Sequence, residues 1–352
     1  MVHSLYQSLN NLETIYADRI GIRYYDEAKG GVVEVPFRQY AADLRRFVAF
    51  LRSRTPNPLG QRVAILARNS YHYVMCLYGA VLAGAVAVPL NTGKNWDEIR
   101  YELDLVEPVC VLHDGEYLSR EPALGQAYGD RLVPMDAFTA FEPAMDITEV
   151  PDLSAMAFIM FTSGTTGRSK GVMLCERNFF AVMPHHVRVG QRFCQLKNDP
   201  DLLVSHMTLL PMFHLGAFGC LFTWAWMGWA QNLGSLRSFY KDLKRMPSQA
   251  MAAVPVLVQS IHHDLMAGKQ GKLGQLWALN CMSAMFDPQT LMDLHDHGMV
   301  ISQLYGSTET TGGGLINFAE DAKHIGSIGK DDGHCEIKLD LSLIHISEPT
   351  RP

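Results

Sequence analysis

Phe161-Thr-Ser-Gly-Thr-Thr-Gly-Arg-Ser-Lys-Gly-Val172 is the stretch on which the reading of this chain turns. It continues an apolar run, Met156–Thr162, that predicts a buried strand. Hydroxyl side chains crowd it (Thr162, Ser163, Thr165, Thr166 and Ser169), beside Gly164, Gly167, Gly171 and one lysine, Lys170. Glycines let successive backbone N–H groups turn toward one point, and hydroxyls add further donors. The loop therefore predicts a nest for an anion, with Lys170 supplying a point charge. A Walker A loop needs Gly-x-x-x-x-Gly-Lys followed by Ser or Thr. Here Gly171 follows Lys170, and Gly164 and Gly167 are wrongly spaced, which disfavours a P-loop phosphotransferase. A flexible surface loop is the competing reading. So dense a set of hydroxyls and glycines straight after a buried strand weighs against it.

Outward from this loop, strand-like and helical segments alternate. Helical spacing marks Phe37–Arg54, Asn69–Ala83, Trp96–Val106, Arg177–Arg188, Val258–Ala267 and Pro288–His297. Short apolar runs at Arg62–Ala67, Ala85–Pro89, Val109–Leu112, Leu202–Leu210, Met251–Val256, Leu276–Cys281 and Val300–Tyr305 predict strands. Repeated strand–helix–strand units with wholly apolar strands predict an α/β fold with a largely parallel sheet. Tyr128–Val150 mixes Pro, Asp and Gly and reads as a connector, which would divide the chain into subdomains of about 1–150 and 151–330. A length of 352 residues allows two or three domains, or one large domain with subdomains. A charged fraction of only 19% fits a deeply buried core rather than disorder.

The net charge of −6 gives no global attraction to nucleic acid or anionic lipid, so any bound anion must be held by a local device. Seven cysteines, widely spaced and without a Cys-x-x-Cys pair, indicate neither a disulfide framework nor a zinc ribbon. They fit a reducing cytosol. The start lacks the pattern of a signal peptide. The uncharged runs Val74–Asn91 and Leu215–Gly234 are interrupted by glycines and, in the first, by Pro89, so both read as core rather than integral membrane segments. A cytoplasmic protein is the expectation.

Two further segments follow the loop in order, Pro211-Met-Phe-His-Leu-Gly216 and Tyr305-Gly-Ser-Thr-Glu-Thr310. Together the three resemble the signature motifs of the adenylate-forming superfamily: acyl-CoA synthetases, peptide-synthetase adenylation domains and luciferases. Weaker similarity at Asn69–Asn91 and at Gly326–Lys330 extends the likeness over about residues 10–340. The resemblance implies a large N-terminal AMP-binding domain with two helix-flanked, mostly parallel β-sheets. A third, β-barrel subdomain would be incomplete and the small C-terminal domain absent. It implies ATP-dependent activation of a carboxylic acid, fatty or otherwise, to an acyl-adenylate with release of pyrophosphate. Thioester formation with CoA would follow in the full-length enzyme. Thr162, Ser163, Gly164, Thr165, Thr166, Gly167 and Lys170 would cradle phosphates, Thr308 would bond the α-phosphate and Glu309 would ligate Mg²⁺. Tyr305, Ser283 and Ala284 would border the adenine. Gly306 would allow close approach of the acyl group, in a pocket with Phe213, His214 and Met282.

The chemistry asks for such residues independently of the likeness, because bringing a carboxylate to a polyphosphate joins two anions. Competing readings exist for single residues. Glu309 suits a helix start, and a lone histidine such as His214 is more often a hydrogen-bonded core residue. The doublets at 185–186 and 262–263 and the pair His295/His297 lack a ligand set. Trp224, Trp226 and Trp229 read as core. Cys281-Met-Ser-Ala-Met-Phe286 stands where the superfamily carries a Gly-rich segment, which predicts a reshaped pocket and leaves the acid open. Leu341–Pro352 resembles an in-frame translation of a sequencing-library adapter rather than a protein segment, and is set apart from fold reasoning. The alternatives retained are an adenylation domain loading a carrier protein and a non-catalytic nucleotide- or acyl-binding fragment.

Overall fold

The computed structural model describes residues 3–163, 167–318, 323–330 and 336. Gly164, Thr165 and Thr166 of the hydroxyl-rich loop, and the segment 341–352, lie outside the described residues. Fourteen strands form two open sheets, with no closed barrel among the described residues. In chain order they are β1 (Ile20–Asp26), β2 (Gly31–Pro36), β3 (Arg62–Leu66), β4 (Val86–Pro89), β5 (Cys110–His113), β6 (Leu132–Pro134), β7 (Met156–Thr162) and β8 (Lys170–Cys175). They continue as β9 (His206–Thr208), β10 (Gln231–Leu233), β11 (Ala250–Ala253), β12 (Ala278–Met282), β13 (Val300–Tyr305) and β14 (Leu315–Asn317).

The smaller sheet runs β6-β5-β3-β4-β7-β8 and the larger β14-β13-β12-β11-β9-β10-β1-β2. Both are parallel inside and close on antiparallel edge pairs: β7–β8 in one, β1–β2 and β13–β14 in the other. Sheet membership does not divide the chain near residue 150. The early hairpin β1–β2 completes the sheet built from residues 206–317, while β7–β8 completes the sheet begun by β3. A boundary at 150 therefore does not coincide with the boundary between sheets.

Local sequence explains most of the elements. The interior strands β3 and β4 are apolar without alternation because both of their faces are covered. The helix Tyr71–Leu82 between them starts at Ser70, whose hydroxyl accepts from Tyr73 N at 3.1 Å. The helix Trp96–Val106 opens with a reciprocal Asn95/Glu98 capping box. The sheets are joined through an aromatic contact of Phe158 on β7, Phe179 on helix Glu176–Lys197 and Phe218 on helix Leu215–Trp226. Their ring centroids lie 4.8–5.2 Å apart. Tyr78 adds a hydroxyl bond to Phe218 O at 2.8 Å.

Several expectations shift. The helix expected over 177–188 runs through Pro184 to Lys197. The strand expected over 251–256 gives way to a helix at Pro255, a residue suited to a first helical turn. Only His206–Thr208 of the 202–210 run pairs as a strand. The Leu215–Gly234 run is a buried helix followed by β10, and no described helix is long and apolar enough to cross a membrane.

Candidate functional site

The parallel part of the larger sheet determines where a site can form. Strands β9 to β13 all run the same way, so the segments leaving their carboxyl ends gather on one edge. There they enclose a cavity of about 510 Å³. Pro211 enters it beyond β9, Leu236 beyond β10, Val254 beyond β11, Ser283 beyond β12 and Gly306 beyond β13. Helix Leu215–Trp226 forms one wall. Its Gly216 lets Met282 pack close, since a Cβ there would stand 2.8 Å from the Met282 sulfur. Trp224 lines the cavity and stacks on Trp229 at 5.1 Å and on the buried His206 at 5.3 Å. Trp224 thus touches the cavity as well as the core.

The segment after β13 is a closed loop returning to β14, with Tyr305 paired to Leu315. Ser307 O accepts from Gly312 N at 2.8 Å, and Thr308 O accepts from Thr311 N at 3.0 Å. The loop is so tight that a Cβ at Gly306 would meet the carbonyl carbon and oxygen of Gly312 at 2.7 Å. Glycine is therefore required at 306 by the loop's own backbone. Thr308 is half-buried and lines the cavity, whereas Glu309 and Tyr305 are exposed and outside its lining.

The hydroxyl-rich loop is the connection of a hairpin, with Thr162 on β7 opposite Lys170 at the start of β8. Ser163 and Lys170 are exposed, and Gly167 takes a φ of +89°, the left-handed region that favours glycine. Beside it, Lys94 donates to Ser169 Oγ at 2.8 Å and pairs with the buried carboxylate of Glu102. Arg168 lies over the ring of Tyr101 at 5.2 Å.

His214, Met282, Ser283, Gly306 and Thr308 thus line one cavity. Phe213, ring to ring with His214 at 4.4 Å, opens instead on a neighbouring cleft of about 920 Å³. Ala284 is exposed beyond the cavity rim. Partial desolvation, and then the charge of Lys94, lower the His214 imidazole below its ordinary pKa, although the residue stays exposed where it lines the cavity. Ser283 adopts φ +74°, a conformation natural to the glycine expected there by resemblance.

Some contributors carried little signal in the sequence. Asn69 spans the two sheets, donating to Leu210 O at 2.7 Å and accepting from Met212 N at 2.8 Å, and so fixes the segment before His214. Asn280, on the cavity wall, accepts from Ser302 at 2.7 Å. Glu102 had a readable clue: it falls on the buried stripe of Ile99, Leu103 and Val106, where a lone acid demands a partner.

Strand ends and a glycine-demanding loop around one cavity, with the hydroxyl-rich hairpin at the edge of the other sheet, make up an α/β domain with an open site at its parallel strand ends. The family model for AMP-binding enzymes matches residues 16–341, and the chain belongs to that family. A 2-succinylbenzoate–CoA ligase of Bacillus cereus (strain AH820) is 26% identical over 293 residues, covering 80% of this chain and 56% of the relative. The chain thus spans about half the length of the curated relatives it matches. Among solved structures, the inhibitor-bound N-terminal domain of FACL13 from Mycobacterium tuberculosis superposes with a TM-score of 0.76 at 21% identity, covering 94% of this chain and 82% of that one. The O-succinylbenzoate coenzyme A synthetase (MenE) of Bacillus subtilis in complex with AMP gives 0.74 at 22% identity, covering 92% and 79%. These likenesses carry the fold.

Proposed function

We propose that this chain is the adenylating portion of an acid–thiol ligase. A carboxylate oxygen attacks the α-phosphorus of ATP, the bond to the β-phosphate oxygen breaks, and pyrophosphate leaves. In the whole enzyme the CoA sulfur then attacks the acyl carbon and AMP departs. The observation that carries the reading is the cavity itself. An apolar chamber walled by Leu215, Met282 and Trp224 opens at the carboxyl ends of parallel strands, with Thr308 and Gly306 at one side. In this reading the acyl body occupies the chamber, and the Thr308 hydroxyl donates to a phosphoryl oxygen.

The neighbouring hairpin supplies the polyphosphate end of the site, through Thr162, Ser163, Gly164, Thr165, Thr166, Gly167 and Lys170. Tyr305, Ser283 and Ala284 border the adenine in this reading. His214 gates the acyl chamber as a neutral ring rather than acting as an acid or base. The domain as a whole is read as residues 1–340.

No group of three or more His, Cys, Asp or Glu that could hold a metal occurs among the described residues. In this reading Mg²⁺ is bound mainly through ATP oxygens and water, with Glu309 as the protein carboxylate. When bound, the ion neutralises phosphate charge. Naming of the Bacillus relatives as CoA ligases supports CoA over a carrier protein as acceptor. Their 2-succinylbenzoate specificity widens the acid class beyond fatty acids. The free thiols of Cys76, Cys110 and Cys281 are in keeping with a cytoplasmic setting.

The test has two parts. The chain is titrated with Mg·ATP and with a non-hydrolysable acyl-sulfamoyl adenosine, and the enzyme completed from its gene is assayed for acid-dependent exchange of labelled pyrophosphate into ATP. The acid panel includes fatty and aromatic acids. Binding by the chain and exchange by the complete enzyme are expected. Lys170→Ala and Glu309→Ala should each weaken Mg·ATP binding by roughly 10–150-fold, the loss of one charge-assisted contact. Nucleotide binding without exchange for any acid would reduce the protein to a non-catalytic binder.

A further inference from the structure

Glu102 is the least expected charge in the molecule. Its side chain is 0% exposed, on the face of helix Trp96–Val106 that also buries Ile99 and Leu103. A carboxylate in such a place is costly unless paired. Its Oε1 takes the ammonium of Lys94, and its Oε2 has no hydrogen-bond partner among the described residues. Lys94 precedes the helix and is itself 18% exposed at the side chain. Its backbone is tied on both sides: Lys94 N donates to Asn91 O at 3.1 Å, and Lys94 O accepts from the Tyr117 hydroxyl at 3.2 Å. Little freedom remains to the side chain.

The same ammonium donates to Ser169 Oγ at 2.8 Å, one residue before Lys170. Arg168, one residue earlier, rests on Tyr101 of the same helix. The hairpin loop is therefore gripped twice by one segment, at adjacent positions. From the cavity side the charge of Lys94 reaches His214 and helps lower its pKa. The ammonium thus lies against the hairpin at Ser169, and its charge is felt at His214 on the cavity wall. Two of its three N–H groups are used, by Glu102 and Ser169, and the third has no acceptor among the described residues.

We propose that Lys94 is a positioning residue for polyphosphate. Glu102 anchors its ammonium, the bond to Ser169 sets the pose of the residues that lead into Lys170, and its charge adds to that of Lys170 at the phosphate end of the site. A purely structural counter-ion for Glu102 is the competing role. The two differ in which nucleotide they affect, because a loop-and-charge role falls on the β- and γ-phosphates alone. The inference rests on the adenylation reading.

The experiment measures binding of Mg·ATP and of AMP to this chain. Lys94→Met alone strands a buried carboxylate and is expected to be unstable, so it is combined with Glu102→Leu, which removes both charges and keeps the site apolar. Ser169→Ala is the second variant and removes only the hydroxyl. The double variant should lose about tenfold in ATP affinity, the size of one charge-assisted bond, with AMP affinity unchanged. Ser169→Ala should lose about threefold for ATP only, in keeping with a neutral hydroxyl contact. Lys94→Arg with Glu102 retained should hold ATP affinity near the original. If the double variant and Ser169→Ala change ATP and AMP alike, or change neither, Lys94 is only the counter-ion of Glu102. If the unsubstituted chain binds neither nucleotide, the adenylation reading itself fails and this inference fails with it.

Discussion

Gly306→Ala isolates the loop after β13 from everything else in the site. The added Cβ would lie 2.7 Å from the carbonyl carbon and oxygen of Gly312 and 3.1 Å from Gly313 O, against 3.4 Å or more in ordinary contact. These are backbone atoms, so no side chain can swing aside. The two limbs of the loop must part by about 0.7 Å, an overpacking of the kind that costs roughly 1–3 kcal/mol. Thr308 and Glu309 ride on the part that moves, between the Ser307 and Gly312 ends of one hydrogen bond. On the proposed adenylation reading, losing one charge-assisted contact there should lower Mg·ATP affinity by roughly 10–150-fold. Gly219→Ala is the matched control: it lines the same cavity from helix Leu215–Trp226, and its Cβ would meet nothing within 4 Å. It should gain about 0.5–1 kcal/mol from helix propensity and leave ATP binding alone, while narrowing the chamber for bulky acids. Urea unfolding and calorimetric titration of the two variants read both quantities. Equal stability and ATP affinity for Gly306→Ala and the original chain would refute the reasoning, as would a Gly219→Ala variant that binds ATP as poorly.

Three other outcomes follow from single residues. Ser283→Gly relieves a φ of +74° and should stabilise the chain by about 1 kcal/mol in urea unfolding, the usual cost of a left-handed L-residue. Burial, moderated by the Leu5 N–H bond and reinforced by the charge of Glu149, raises the Glu176 carboxyl from 4.5 to about 7. Its folded pKa lies above the unfolded one, so its contribution is full below pH 4.5 and lost as pH rises through 7. Glu176→Gln should remove a decline of about 2–3 kcal/mol between pH 5 and pH 8, read from urea midpoints. Burial lowers the His206 imidazole from 6.5 to about 3, so stability is present above pH 6.5 and falls as pH drops toward 3. His206→Phe, which keeps a ring against Trp224, should flatten that acid limb; an unchanged limb would place its origin elsewhere.

Elements defined by short-range pattern are legible in this sequence, and those defined by distant pairing are not. Phe37–Arg54, Trp96–Val106, Met156–Thr162 and Val300–Tyr305 have the bounds their periodicity and breakers predict. The hydroxyl-rich loop is legible as a candidate site because its residue types are dense. Its return strand β8 is not, because Lys170–Cys175 is short, half-exposed and defined by pairing with β7. The hairpin β1–β2 is local, with Asp26 paired to Gly31, but its place in the larger sheet beside β10 has no signal in the sequence. The helix expected over 177–188, Pro184 included, continues to Lys197, where Phe193 stacks on Trp224 of the neighbouring helix Leu215–Trp226. The cavity wall is tertiary in origin. Asn69 and Asn280 reach it only once two sheets have met, and no spacing rule connects Asn69 with Leu210.

The interleaving of the sheets has a consequence for how the chain acquires its shape as it emerges from a ribosome. The smaller sheet has all of its strands by Cys175 and is free to form early. The hairpin β1–β2 is made first, yet Ile22 must wait for Gln231, roughly 200 positions later, before it is seated, a long-range closure of the kind that slows folding. Until then its edge is open to wrong partners. Severing the chain near residue 150 would strand two incomplete sheets instead of releasing two units. Overexpression of such halves should yield aggregates, while coexpression allows β1 to find β10 in trans.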